Sequence, residues 1–161
     1  MRNIVFLSVF LISITGFSQK ILPNINLTTF EGDKVNVTEL SSNDKIAVIS
    51  LWATWCVPCI KELDAINELY DDWKAEVDFE VYAISVDDSR SIKRAKALVN
   101  VKGWEHNILL DTNQNLKRAL GAAAIPETII VKNNEVLYQH TGYRNGDEYE
   151  LFEKLKKLSK E

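Results

Sequence analysis

The sequence is short of cysteine, of basic charge, of repeats and of long apolar runs, and each shortage removes a class of protein. Lys and Arg number 19 against 23 Asp and Glu, a net charge of −4, so nothing marks a nucleic-acid ligand or a polybasic membrane surface. No segment repeats and none is of low complexity, which sets repeat architectures aside. The longest apolar stretch, Ile4 to Phe17, has fourteen residues, fewer than the roughly 20 that a spanning helix needs. No cysteine follows it to carry a lipid. There are only two cysteines, Cys56 and Cys59, and two histidines, His106 and His140, and the histidines lack zinc-finger spacing.

What is present begins with Met1-Arg2-Asn3, a basic lead into the apolar stretch, and with Gly16 and Ser18 on either side of Phe17. That order is the order of a secretory signal peptide, residues 1–18, cleaved after Ser18. Retention of the stretch as an N-terminal anchor is the alternative; in either case the domain is exported. Residues 19–161 carry 18 Lys and Arg against 23 Asp and Glu, or −5. These 143 residues suit one α/β domain with a sizeable core and are too few for two. Export places the cysteines in an oxidising compartment, where a dithiol stays reduced only if electrons are supplied.

Both cysteines lie in Trp55-Cys56-Val57-Pro58-Cys59, where a strand gives way to a helix. Ile46 to Trp52 is a nearly continuous, partly β-branched apolar run, the pattern of a strand buried on both faces. After Cys59, apolar residues recur at Ile60, Leu63, Ile66, Leu69, Tyr70 and Trp73, one stripe of an amphipathic helix. Cys56 caps its first turn. Unpaired N–H groups and the positive end of the helix dipole favour a thiolate there, and in such Cys-x-x-Cys settings the thiol pKa falls to roughly 3.5–7.5. Cys56 is therefore the expected nucleophile and Cys59, one turn on and more buried, the resolving thiol. Pro58 suits the first turn, which needs no N–H from it. A plain structural disulfide is the alternative, but a bridge over two intervening residues constrains the unfolded chain little.

The rest of the chain supplies a sheet around that junction. Residues 25–37 read as a hairpin turned at Glu31-Gly32-Asp33, and Val77 to Val86 as a strand parallel to the central one across the first helix. Ser89 or Ser91 caps a helix ending at Lys102 before Gly103, and short strand and helix segments follow at His106 to Leu110 and Leu116 to Leu120. Thr128 to Val131 and Val136 to His140 flank Asn133-Asn134 as an antiparallel hairpin, and a C-terminal helix begins at Asp147. Pro126, opening a strand, reads as an edge or a bend, with a cis bond available to it.

These pieces resemble the thioredoxin superfamily, in particular the exported thioredoxin-like reductases that serve cytochrome c maturation. The resemblance spans roughly Ile25 to Lys160 and rests on Leu51-Trp52-Ala53-Thr54-Trp55-Cys56-Val57-Pro58-Cys59 and on Ile125-Pro126-Glu127-Thr128. It implies a thioredoxin-like α/β fold: a central mixed sheet flanked by helices, an N-terminal β-hairpin and a helix inserted after the second central strand. It also implies a cis Pro126 beside Cys56, an Ile125 backbone that pairs with an extended substrate segment, and Trp55 and Pro58 at the rim of that groove. The activity implied is reduction of accessible disulfides in protein substrates, apocytochrome c among them. It needs no metal or organic cofactor, and a membrane-embedded thiol donor renews the protein, expected as a monomer. Oxidation or isomerisation of disulfides is the first alternative.

Cytosolic thioredoxins carry a buried aspartate on the strand before the motif, where this chain has Ser50. Asp88, at the end of the second central strand, matches a place where related reductases hold an acidic residue near the cysteines, where it raises a thiol pKa. Glu127 is the other candidate for proton transfer. An exposed helix cap and a solvated strand residue are the respective alternatives. Two further classes are less favoured: a zinc module built on Cys56, Cys59, His106 and His140, and a peroxidase of the peroxiredoxin type, whose Pro-x-x-x-Thr-x-x-Cys context is absent.

Overall fold

Every residue of the apolar run Ile46–Trp52 is buried, and the strand it forms lies inside the sheet with partners on both sides. The computed structural model describes residues 20–160, so the expected leader, residues 1–18, lies outside the described residues. Among those described, the strands are β1 (Asn26–Thr28), β2 (Lys34–Asn36), β3 (Ile46–Trp52), β4 (Phe79–Ser85), β5 (Asn107–Leu110), β6 (Glu127–Lys132) and β7 (Glu135–Thr141). The helices are α1 (Val57–Glu76), α2 (Ile92–Lys102), α3 (Asn115–Ala119) and α4 (Asp147–Leu158). The sheet order is β2-β1-β5-β4-β3-β6-β7. β3 runs parallel to β4 and antiparallel to β6, which makes the sheet mixed.

Two crossovers, β3-α1-β4 and β4-α2-β5, step across the sheet in the same direction, and right-handed connections put both helices on one face. The contacts agree: Lys102 at the end of α2 and Trp104 just beyond it both donate to Asp64 of α1, at 2.6 and 2.9 Å. α4 packs beside α1, where Trp73 stacks on Phe152 with ring centroids 4.7 Å apart, a geometry that adds about 0.5–1.5 kcal/mol to simple burial. Alternate residues of β3 serve opposite faces. Ile46 and Val48 join Ile66, Trp73, Leu151 and Leu155, whereas Ala47, Ile49 and Leu51 join Leu27, Leu116 and Leu120.

Several boundaries differ from the sequence reading for local reasons. Ser91 is the N-cap residue of α2, which begins at Ile92, but its side chain makes no cap hydrogen bond; the side-chain cap is one turn earlier, where the Asp88 carboxylate accepts from the Arg90 N–H at 3.0 Å and opens a short 3-10 turn. Gly103 ends α2 at φ 64°, as a left-handed stop requires. Asn133 and Asn134 take φ 50° and 67°, the pair of positive angles that a two-residue hairpin turn demands. Pro126 precedes a strand that has β3 on one side and β7 on the other, so it marks a bend rather than an edge.

Candidate active site

Cys56 is the N-cap of α1. Its backbone is extended (φ −92°, ψ 93°) and its Sγ accepts the Cys59 N–H at 3.3 Å. Val57 and Pro58 form the first turn of the helix, which keeps the N–H groups free to face the sulfur. Cys56 and Cys59 are bonded, with Cα atoms 5.3 Å apart. Cys59 is fully buried and Cys56 is 4% exposed; the expected nucleophile is thus itself largely covered in the disulfide form. What covers it is the chain before β6. The Ile125 carbonyl oxygen lies 3.8 Å from Cys56 Sγ, and the Ile125–Pro126 bond is cis. Trp55 and Val57 stand out on either side, each 63% exposed. An open groove of about 570 Å³ begins here, lined by Pro58, Ile125, Pro126, Thr141, Tyr143 and Arg144.

Asp88 does not turn toward this pair. Its carboxylate is held at the surface by Arg90, 2.6 Å away, which keeps it below the ordinary carboxylate range. The residue before it does turn inward. Asp87 is 4% exposed, accepts the Thr54 N–H and hydroxyl at 2.8 and 2.9 Å, and accepts the Ser85 hydroxyl at 2.9 Å. Consecutive residues of an extended segment face opposite ways, so one step along the chain separates a surface cap from a clamp on the loop that carries Trp55.

Glu127 is not a solvated strand residue: it is 1% exposed, and its oxygens accept from Gln139 and Thr141 of β7. Its neighbour Thr128 faces the other side of the sheet and donates to Glu62 at 2.8 Å. Glu62 is the carboxylate that the sequence reading passed over. It sits one turn after Cys59 on the buried side of α1, and its other oxygen accepts the Ser50 hydroxyl at 2.8 Å. Burial pushes its pKa up to about 7, against the opposing pull of the two hydroxyls. The one hint in the sequence is helical spacing, since Glu62 and Leu63 are the i+3 and i+4 positions from Cys59, and the charged neighbours Lys61 and Asp64 outweigh it; both Glu62 and Leu63 are buried.

The histidines stand apart. His106, beside β5, packs against Tyr70 and Trp104 with Nε2 3.1 Å from the Leu63 carbonyl, and burial lowers its pKa. His140 is on β7, on the far side of β4, β3 and β6, so the two cannot close a zinc site with a pair of cysteines that are already bonded to each other.

A bonded Cys-x-x-Cys pair heading a helix, on a thioredoxin-like mixed sheet and facing a cis-proline loop, defines a thiol:disulfide oxidoreductase. The comparisons agree. A family model described as the AhpC/TSA family matches residues 19–140, and the chain belongs to that family. It is 30% identical over 138 residues to the thiol-disulfide oxidoreductase ResA of Bacillus anthracis, covering 85% of this chain and 76% of the relative. It is also 30% identical over 118 residues to the thiol:disulfide interchange protein DsbE of Pseudomonas fluorescens biotype C, covering 73% and 62%. Among solved structures, a thioredoxin-like protein from Porphyromonas gingivalis superposes with a TM-score of 0.75 at 40% identity, over 86% of this chain and 92% of the other. A thiol:disulfide interchange protein from Bacteroides sp. superposes with a TM-score of 0.69 over 86% and 90%; at 20% identity it bears on the fold alone.

Proposed function

We propose that the protein is an exported reductase of protein disulfides, with Cys56 as nucleophile and Cys59 as resolving thiol. The reduced Cys56 thiolate attacks one sulfur of a substrate disulfide; a Cys56–substrate disulfide forms and the other substrate sulfur leaves as a thiolate. Cys59 then gives its proton to the Glu62 carboxylate and attacks Cys56 Sγ, which releases the second substrate sulfur and leaves Cys56 bonded to Cys59 as in the present structure. The groove beside Ile125 and Pro126 accommodates an extended substrate segment, which the Ile125 backbone pairs as an added strand. Apocytochrome c is a substrate of the right kind. Electrons return from a membrane-embedded dithiol donor, the protein works as a monomer, and residues 1–18 direct it out of the cytoplasm. No helix among the described residues is long and apolar enough to cross a membrane.

The observation that carries the direction is the buried Glu62 carboxyl one turn from Cys59. A negative charge there disfavours the Cys59 thiolate, whereas a strong thiol oxidant depends on a stabilised reduced form. Equilibration with glutathione and dithiothreitol buffers should give a potential closer to the about −270 mV of thioredoxin than to the about −120 mV of DsbA. A value at the oxidising end would assign the protein to substrate oxidation instead.

A further inference from the structure

A second, much smaller cavity adjoins the groove, with room for about one water molecule. Glu62 closes it from α1, Thr128 from β6, Tyr138 and His140 from β7, and Asp147 and Glu148 from α4. His140 and Asp147 line both this cavity and the open groove beside Pro126. They stand between the buried carboxyl and bulk water.

The sheet register explains the arrangement. Thr128 and His140 are directly paired across β6 and β7, so their side chains lie side by side on the face that Glu62 covers. Thr128 spends its hydroxyl on Glu62. His140 stacks in parallel on Tyr138, and its Nε2 is 3.7 Å from the Asp147 carboxylate. Asp147 is itself fixed at the head of α4 by the Arg144 N–H, at 2.7 Å. Glu62 has both oxygens bonded to neutral hydroxyls and none to a cation. A proton it takes from Cys59 needs an exit, since Ser50 and Thr128 are themselves buried.

We propose that His140, held by Asp147, is the proton exit of Glu62: a single water in the small cavity carries the proton from the Glu62 carboxyl to the imidazole, which passes it to solvent in the groove. This rests on the reading of Glu62 as the base for Cys59. In the resolving step, the Cys59 S–H bond breaks as the Glu62 O–H bond forms; the Cys59 thiolate then displaces substrate from Cys56. The Glu62 proton leaves by the water and His140, which restores the carboxylate, and no electron moves along this path. The charges that face the cavity are those of Glu62, Asp147, Glu148 and Glu150, with the Lys154 ammonium over the Tyr138 ring. The surplus of acid holds a proton in the cavity, and an imidazole that both accepts and donates is the group that can hand it on.

The test is single-turnover kinetics on reduced full-length protein mixed with a disulfide substrate, following formation and then decay of the mixed disulfide across pH. His140→Ala should resolve the mixed disulfide about a hundredfold more slowly, the low end of what a positioned proton-transfer group contributes, over and above any smaller change that its place in the groove makes to the rate of formation. Added imidazole should restore that decay in His140→Ala, an effect that a merely structural role of the residue would not produce. Asp147→Asn should move the pH midpoint of the resolving step downward, because the Asp147 charge is one of those that raise the Glu62 pKa. Normal decay in His140→Ala, or slowed decay that imidazole leaves untouched, overturns the exit. If His140→Ala also fails to form the mixed disulfide, then His140→Gln, which keeps a polar side chain but cannot relay a proton, decides by the same decay. Glu62→Gln separates the two levels. If it resolves as fast as wild type, the base assignment itself fails; if it is slow while His140→Ala is normal, only the exit fails.

Discussion

The Ser50 hydroxyl donates a 2.8 Å hydrogen bond to Glu62 Oε2, so the buried acid one turn after Cys59 is delivered by α1 and only steadied by the central strand. Thr128 of β6 donates to the other oxygen and closes the far side of the carboxylate.

That placement gives a sign to the pH dependence of stability. The Glu62 pKa rises from an ordinary 4.5 to about 7 in the folded protein, so between these values the unfolded chain has released a proton that the folded one still holds. Stability therefore falls as pH rises through this window, by about 1.4 kcal/mol per pH unit and roughly 3 kcal/mol in all, and levels off above it. Glu62→Gln should remove the slope and be the more stable form at pH 8. Urea titrations of oxidised protein and variant at a series of pH values check this. The difference between the two isolates Glu62, because His106, whose lowered pKa acts with the opposite sign, is common to both.

Asp87 and Asp88 should behave unlike each other. Asp87→Ala strands the Thr54 N–H and two hydroxyls in a buried place, at about 1–3 kcal/mol for each group left unpaired, and frees the loop ahead of Cys56. A lowered Tm and slower protein reduction are expected together. Asp88→Ala gives up an exposed pair with Arg90, which contributes little, and the cap on the Arg90 N–H, which contributes somewhat more. Its Tm should fall slightly, and the pH profile of Cys56 alkylation should stay near that of wild type.

The sequence told much about the frame and less about its acids. β3 and α1 were legible because an apolar run and a three-four stripe leave few alternatives, and Asn133-Asn134 announced its turn by residue type. Glu62 was not, because a charged residue among Lys61, Asp64 and Glu68 reads as the solvated side of a helix until the sheet supplies Ser50 and Thr128. The choice between Asp87 and Asp88 turned on the parity of an extended segment after β4, and two adjacent aspartates carry no record of which faces inward. Glu127 posed the same problem: only its pairing opposite Thr141 shows that it is tied to β7.

Trp55 offers the largest exposed aromatic surface beside the cysteines, and an aromatic in that position is the usual anchor for a protein partner. Trp55→Ala should raise KM for a folded protein disulfide by roughly tenfold while its rate with a small aromatic disulfide reagent changes little. Equal losses with both substrates would mean that Trp55 shapes the cysteines and not the groove.

The division of labour between the two sulfurs is tested most directly by trapping. Cys59→Ser and Cys56→Ser, each reduced and mixed with a protein disulfide, are quenched with acid and mapped by mass spectrometry. Cys59→Ser should accumulate a mixed disulfide through Cys56, whose sulfur faces the helix N–H groups and the Ile125 carbonyl. Cys56→Ser should accumulate none, because Cys59 is fully buried. A mixed disulfide through Cys59 in the second variant, formed as fast as the first, would contradict the assignment of nucleophile and resolving thiol.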